Sequence, residues 1–251
     1  MAEEQKYASE VIDLPSEGKL YPEDSPLRSG KLDIKYMTAR EEDILTSQNL
    51  VKKGIAIDKL LDSLILTKGV SEKDLVVGDK NAVMVAARIL GYGPEYTCTV
   101  TNPETGDELE HTFNLADCPF IKISENINEN NFEVELPISK TKVTFKLLTG
   151  REESIIQEEL KQVSKLGTQV SPELTTRLRH TITSVDGDTT KSTINKFVND
   201  TLLARDSMFL RQEILKVAPD IDLSQEIDIE GASVKVTIPM TVNFFWPSTT
   251  R

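Results

Sequence analysis

The fold turns on one stretch, "FEVELPISKTKVTFKLLTGREESIIQEELKQVSKLG", residues 132–167. Val134, Leu136 and Ile138 alternate, and so do Val143, Phe145 and Leu147, which is the period of two expected of a strand pair. From Gly150 the period changes. Thr149 and Glu152 have the spacing of a capping box, and Ile156, Leu160 and Val163 then share one helical face. A run of strands therefore hands over to a run of helices. Runs of each kind, without β-α-β alternation, argue for α+β.

Upstream, "IDLPSEGKLYPEDSPLRSGKLDIKYM" is dense in Pro, Gly and Ser. Ile12 and Leu14, then Leu32, Ile34 and Tyr36, flank the turn residues, as in a β-arm or a hairpin with a long loop. In "TAREEDIL" Thr38 is a candidate N-cap with Glu41 three positions on. Glu42 and Asp43 fall in the first turn, where the helix dipole favours negative charge. Consecutive carboxylates splay around a helix, so these three read as a helix start, and Glu41→Ala is expected to cost about 0.5–2 kcal/mol. Ile57, Leu60, Leu61 and Leu64 continue at helical spacing. "VGDKNAVMVAARILGYG" reads as a buried helix capped by Asp79 and ended at Gly91. "EYTCTVTNPETGDELEHTFNL" reads as a hairpin around a Pro-Gly turn.

Downstream, Ser171 is the expected cap and Pro172 the first residue of a helix striped by Leu174, Leu178, Ile182 and Val185. "TINKFVNDTLL" and "ARDSMFLRQEILKV" are two more helices, which short connections should pack antiparallel. In "EIDIEGASVKVTIPMTV" the alternation of Val234, Val236, Ile238, Met240 and Val242 returns to β, with Glu230-Gly231 as the turn. The expected layout is an N-terminal α+β region over 1–148, a helical segment over 149–219, and a C-terminal hairpin over 220–251 returning to the sheet region. No convincing internal repeat stands out, although the two hairpin regions have similar layouts.

The 251 residues suffice for one large domain or two small ones. No run of about 18 apolar residues predicts a membrane span. The acidic, polar start lacks the features of a secretory signal, so a cytoplasmic protein is expected. Asp plus Glu number 41 against 29 Lys plus Arg, a net charge of −12. Phosphate backbones repel such a chain, so no nucleic-acid ligand is expected, and docking on basic protein patches is favoured. The chain lacks a Walker-A loop, G-x-G-x-x-G, H-E-x-x-H and an EF-hand loop. Asp186 and Asp188 around Gly187 echo a calcium loop but read as an interhelical turn. Cys98 and Cys118 read as small buried residues in a reducing compartment, and His111 and His180 share no motif. No catalytic residue, metal or cofactor is assigned.

"NFFWPS" is the sharpest apolar signal. The final strand can tuck its aromatics into the core, but consecutive aromatics cannot all face one side of a strand, so at least one is expected to face outward or rest on another element or chain, and Phe244, Phe245, Trp246 and Pro247 are candidate partner-binding residues. Truncation after Val242 is then expected to abolish binding and leave a folded protein.

Five pieces in order, "LPSEGKLYP", "YMTAREEDILT", "GDKNAVMVAARILGYGPEY", "LLARD" and the terminal "FFWP", resemble the baseplate proteins of T-even-like contractile-tailed bacteriophages. That family comprises hub-assembly proteins of about this length. The resemblance implies a non-enzymatic structural or assembly role, with Leu14 and Tyr21 of the arm joining the aromatic tail in contacts to other hub proteins. It implies action in the host cytoplasm during assembly, with retention in the virion and homo-oligomerisation left open. Relatives often carry a Cys-Pro-x-Cys-Gly knuckle where this chain has "NPETG", Asn102 to Gly106, so no zinc carries over. Three other readings stand beside it: a degenerate zinc-ribbon adaptor holding metal through Cys98, His111 and Cys118, a tail assembly chaperone, and a hydrolase using the acidic cluster or a Cys–His pair.

Overall fold

The computed structural model describes residues 7–102, 105–165, 171–229, 232–240 and 242–245. Strand β1 (Ser9–Asp13) pairs antiparallel with β2 (Lys31–Lys35), Ile12 opposite Leu32. Helices α1 (Ala39–Thr46), α2 (Gln48–Lys53), α3 (Ala56–Leu64) and α4 (Val77–Tyr92) follow. Then comes the hairpin β3 (Glu95–Thr101) and β4 (Glu108–Asn114), and the short β5 (Phe120–Ile121). A second series repeats the plan: β6 (Phe132–Glu135), β7 (Lys142–Phe145), α5 (Gly150–Lys165), α6 (Glu173–Thr181), β8 (Ile182–Val185), α7 (Lys191–Lys196) and α8 (Ala204–Val217). The short β9 (Asp220–Ile221) pairs with β5, and the hairpin β10 (Ser224–Ile229) and β11 (Ala232–Thr237) closes the sheet structure. The architecture is α+β, as expected from the change of period at Gly150.

The chain is an internal duplication. In the first strand pair Asp13 faces Lys31 and Val11 faces Asp33; in the second Glu135 faces Lys142 and Glu133 faces Thr144. An isolated bridge joins Ile34 to Ile65, and its counterpart joins Phe145 to Ile182. With this register "KLDIKYMTAREEDIL" (Lys31–Leu45) lies on "KVTFKLLTGREESII" (Lys142–Ile156), sharing Lys, Lys, Thr, Arg, Glu, Glu and Ile at matched places. The expectation of no internal repeat is therefore corrected. The signal was in the sequence, but split by loops of different length: 17 residues between β1 and β2 against six between β6 and β7.

Each repeat buries matched apolar positions. Leu14, Leu32, Ile34, Leu61 and Val83 in the first correspond to Leu136, Val143, Phe145, Leu178 and Leu210 in the second, and all are buried. The first core is larger because both later hairpins join it: Tyr96, Val100 and Phe113 from β3–β4, and Ile227, Val234 and Val236 from β10–β11. The second takes Leu136, Val143 and Phe145 from the chain before Thr149, beside residues of α6, β8, α7 and α8.

Several local expectations change. The stripe ending in Ile182 and Val185 is not one helix: α6 stops at Thr181, and Ile182–Val185 forms a third strand beside β7. The β-branched run Thr181-Ile182-Thr183 suits that ladder better than a helix. The segment expected to be wholly helical thus contains a strand, and Asp186-Gly187 turns from strand to helix, not between helices. Pro172 occupies the N-cap position of α6, with Glu173 its first residue, so Ser171 is not the cap. α4 begins at Val77, placing Asp79 within its first turn, and ends at Tyr92 with Gly93 at the C-cap, so Gly91 does not end it. Gly91 sits against the Met37 side chain instead. Strand β11 ends at Thr237, before Pro239, and 242–245 is a 3-10 turn. Pro103 and Glu230-Gly231, expected in turns, lie outside the described residues.

Candidate docking surface

The acidic residues singled out in the sequence tie elements together. Glu41 is fully buried; Oε2 accepts from the Thr38 N–H at 2.9 Å and the Thr38 hydroxyl at 2.7 Å. Oε1 accepts from Lys35 Nζ at 2.8 Å and Ser63 Oγ at 2.9 Å. One carboxylate therefore joins β2, α1 and α3. Burial works against its charge, yet Lys35, Thr38 and Ser63 outweigh burial and hold the carboxyl at about 2. The second repeat copies the device at the surface. Glu152 accepts from Lys146 Nζ at 2.5 Å, the Thr149 N–H at 2.9 Å and the Thr149 hydroxyl. Asp43 is exposed and does not converge with Glu41.

A second matched pair explains "LPSEGKLYP", "GDKN" and "LLARD". Asp79 on α4 accepts from Ser16 N at 2.9 Å, Ser16 Oγ at 2.6 Å and Tyr21 OH at 2.6 Å, and Tyr21 OH accepts from Val76 N at 3.0 Å. Asp206 on α8 accepts from Ile138 N at 2.9 Å and Ser139 N at 3.0 Å. Each aspartate pins the chain just after the first strand of its repeat to the start of a long helix. Burial raises the Asp79 carboxyl, whereas the two backbone donors outweigh burial at Asp206 and lower it.

Four of the residues expected to face a partner lie inside the protein. Leu14, Tyr21, Phe244 and Phe245 are buried, which corrects their reading as a docking surface. The physical reason for the last two is the 3-10 turn, which frees neighbouring side chains from the alternation of a strand. Phe244 packs edge-on to Tyr96 at 5.0 Å, and Phe245 edge-on to Phe244 at 5.3 Å. Arg88 on α4 clamps the turn, donating from Nε to the Phe244 carbonyl at 2.9 Å and from its terminal nitrogens to the carbonyls of Gly93 at 2.9 Å and Glu95 at 3.0 Å. Trp246 and Pro247 lie outside the described residues.

The remaining polar candidates are dispersed. Cys98 faces His111 across β3–β4, while Cys118 accepts from Gln225 Nε2 at 3.3 Å. His180 Nε2 lies 3.0 Å from Glu159 Oε1. Asp188 receives the Thr190 N–H at 2.8 Å and the Thr193 hydroxyl at 2.7 Å. Among the described residues no three His, Cys, Asp or Glu stand together in a geometry that could hold a metal ion. No described helix is long and apolar enough to cross a membrane.

Sequence reading missed the accessible apolar surface. A groove of about 450 Å³ opens between α6 and α8, floored by Val76, Leu147 and Leu148. α6 lends Leu174, Arg177, Leu178 and Thr181; α8 and the residue after it lend Arg211, Ile214, Leu215 and Ala218. Both sets run i, i+3, i+4, i+7, the spacing of one helical face. Leu174 is 44 % exposed and Leu215 73 %. Arg177 is matched by Glu153 at 2.5 Å and Glu173 at 3.2 Å. Arg211 donates Nε to its own helix, at the Ser207 carbonyl, 3.4 Å away. An apolar groove rimmed by arginine can hold protein side chains.

Comparison with curated proteins and with solved structures finds no match. The family model described as T4 bacteriophage base plate protein matches residues 7–246. That span takes in both repeats, both buried aspartates and the aromatic turn, so the chain belongs to the T4 bacteriophage base plate protein family.

Proposed function

We propose that this baseplate protein is a non-enzymatic structural or assembly component of the baseplate hub, acting by protein–protein contact while the tail is built in the host cytoplasm. The observation that carries the reading is the family match over 7–246. The polar residues agree with it: Glu41, Asp79, Arg88 and Asp206 all hold one element of the chain to another. The groove between α6 and α8 supplies accessible apolar surface of the kind that contacts between proteins use.

The test is genetic and structural together. A phage carrying a stop codon in this gene is grown with and without the protein supplied in trans. Without it, tail assembly is expected to stall before a complete baseplate, and adding it back is expected to restore plaques. Complete, infectious tails made in its absence would refute the proposal.

A further inference from the structure

The two repeats meet along a short seam whose halves come from different places in the repeat. Just before α4, Val76 bridges Thr149, the Val77 N–H donates to the Leu148 carbonyl at 3.0 Å, and the Leu75 carbonyl accepts from the Gly150 N–H at 2.9 Å. The first repeat gives the edge before its long helix. The second gives the edge between its second strand and the helix after it. Such a head-to-tail contact uses one edge of each repeat and leaves the other spare. The strand register lays Met37, Thr38 and Ala39 on Leu148, Thr149 and Gly150. Laying "LLARD" on "LVVGD" puts Leu202, Leu203 and Ala204 on Leu75, Val76 and Val77.

Both spare edges keep the shape of the seam. The backbone at Leu203, φ −69° and ψ 147°, matches that at Val76, −63° and 151°. Thr38 forms a capping box with Glu41 as Thr149 does with Glu152. Both edges are also open. Val76 is 2 % exposed and its counterpart Leu203 46 %; Leu147 is 7 % exposed and its counterpart Tyr36 37 %. Among the described residues no hydrogen bond engages the Ala39 and Ala204 N–H groups or the Met37 and Leu202 carbonyls. Unpaired backbone groups along an edge are a template for another chain.

We propose that this protein self-associates head to tail, residues 202–204 of one copy pairing with residues 37–39 of the next, as 75–77 pair with 148–150 inside each copy. The Ala204 N–H then donates to the Met37 carbonyl of the next copy, and the Leu202 carbonyl accepts from its Ala39 N–H. Backbone groups make this pairing, so it carries over where side chains differ. A second copy is the occupant because every chain carries both halves of the seam. The contact between copies is looser than the seam itself. A Cβ on Gly150 would come within 2.6 Å of the Glu72 carbonyl oxygen, and one on Gly78 within 1.7 Å of the Pro219 carbonyl oxygen. Ala39 and Arg205 stand at those two places, so copies stand further apart than repeats do. The ion pair of Arg151 with Asp74 does not carry over either, since Thr201 takes the place of Asp74. The proposal stands on the duplication and goes beyond the hub role given above.

Proline at the first position of a helix removes an N–H without breaking the helix. Ala39 and Ala204 both hold that position, each after an extended residue, which proline requires. The test follows the full-length protein by sedimentation velocity up to its solubility limit. The wild type is expected to grow from monomer into a head-to-tail series as concentration rises. Ala39→Pro and Ala204→Pro are each expected to weaken association about tenfold, with melting temperatures near that of the wild type. A mixture of the two variants keeps one intact contact, residues 202–204 of the first with 37–39 of the second. It is therefore expected to form dimers, and to stop there, at concentrations where neither variant associates alone. A wild type that stays monomeric, proline variants that associate as tightly as it does, or a mixture that forms no dimers would overturn the proposal. None of these results bears on the hub role, which the stop-codon phage tests separately.

Discussion

At the scale of single residues, matched positions in the two repeats carry different weights. Glu41 and Glu152 occupy the same place in the same capping box, but Glu41 is fully buried and Glu152 is 17 % exposed. Removing one partner of a buried ion pair leaves the other charge uncompensated, which costs about 3–5 kcal/mol. Glu41→Ala is expected to fall in that range by urea denaturation, above the loss expected for a cap alone. Glu152→Ala is expected to cost about 1–2 kcal/mol, nearer an ordinary cap. The same groups set the response to acid. The folded Glu41 carboxyl sits near 2, below its ordinary value of 4.5, so its contribution is complete above pH 4.5 and is lost as pH falls towards 2. That contribution is on the order of 3 kcal/mol at neutral pH. Denaturation followed between pH 5 and 2 is expected to show a shallower loss of stability in Glu41→Gln than in the wild type.

At the scale of elements, the C-terminal turn is a core element. Phe244 and Phe245 are fully buried, and losing a buried phenylalanine costs about 3–5 kcal/mol. Truncation after Val242 is therefore expected to lower the melting temperature sharply, the reverse of a folded chain that has lost only its binding. Arg88→Ala is expected to loosen the same turn, read as faster amide exchange in β10–β11. Glycine at 78 is fixed by the close passage of Pro219, so Gly78→Ala is expected to disturb the join between α4 and β9. Gly54→Ala is expected to cost about 1 kcal/mol, because φ there is +72° but no atom lies within 4 Å of an added Cβ. Thermal melts of the two variants, side by side, check this. Much of this scale was legible. Capping boxes at Thr38 and Thr149, the hairpins and the long helices all follow from spacing alone. The strand Ile182–Val185 was not, because four residues fit both a helical stripe and a ladder until β7 is known to lie alongside.

At the scale of the molecule, one supersecondary plan is used twice with unequal surroundings. α4 has no exposed residue, enclosed by its neighbours and the C-terminal chain, whereas α8 shows Met208 and Leu215. The same register therefore predicts opposite outcomes. Leu215→Asp is expected to cost no more than about 1 kcal/mol, since the site is exposed and the loss is limited to the lower helix propensity of aspartate and its place in the last turn of α8, at the negative end of the helix dipole. Arg88→Asp at the matched position is expected to cost about 3 kcal/mol or more, since it places an unpaired carboxylate among buried carbonyls. Chemical denaturation of the two variants decides the matter. The candidate docking surface was the least legible part. Leu174 and Leu215 look like any core-facing leucine in an amphipathic helix, and only the lack of a covering element among the described residues makes them a surface.

The sequence by itself determined the class of fold, the capping boxes that start α1 and α5, the hairpin pairings and the family. These depend on local spacing and on short-range capping chemistry, which a chain carries in its order of residues. The tertiary structure alone decided that Glu41 and Asp79 are buried ties, that Phe244 and Phe245 are core, and that among the described residues α8 exposes Met208 and Leu215 while α4 is covered. Burial and partnership join residues dozens of positions apart, and nothing in local order records which of two equal helices the rest of the chain will cover.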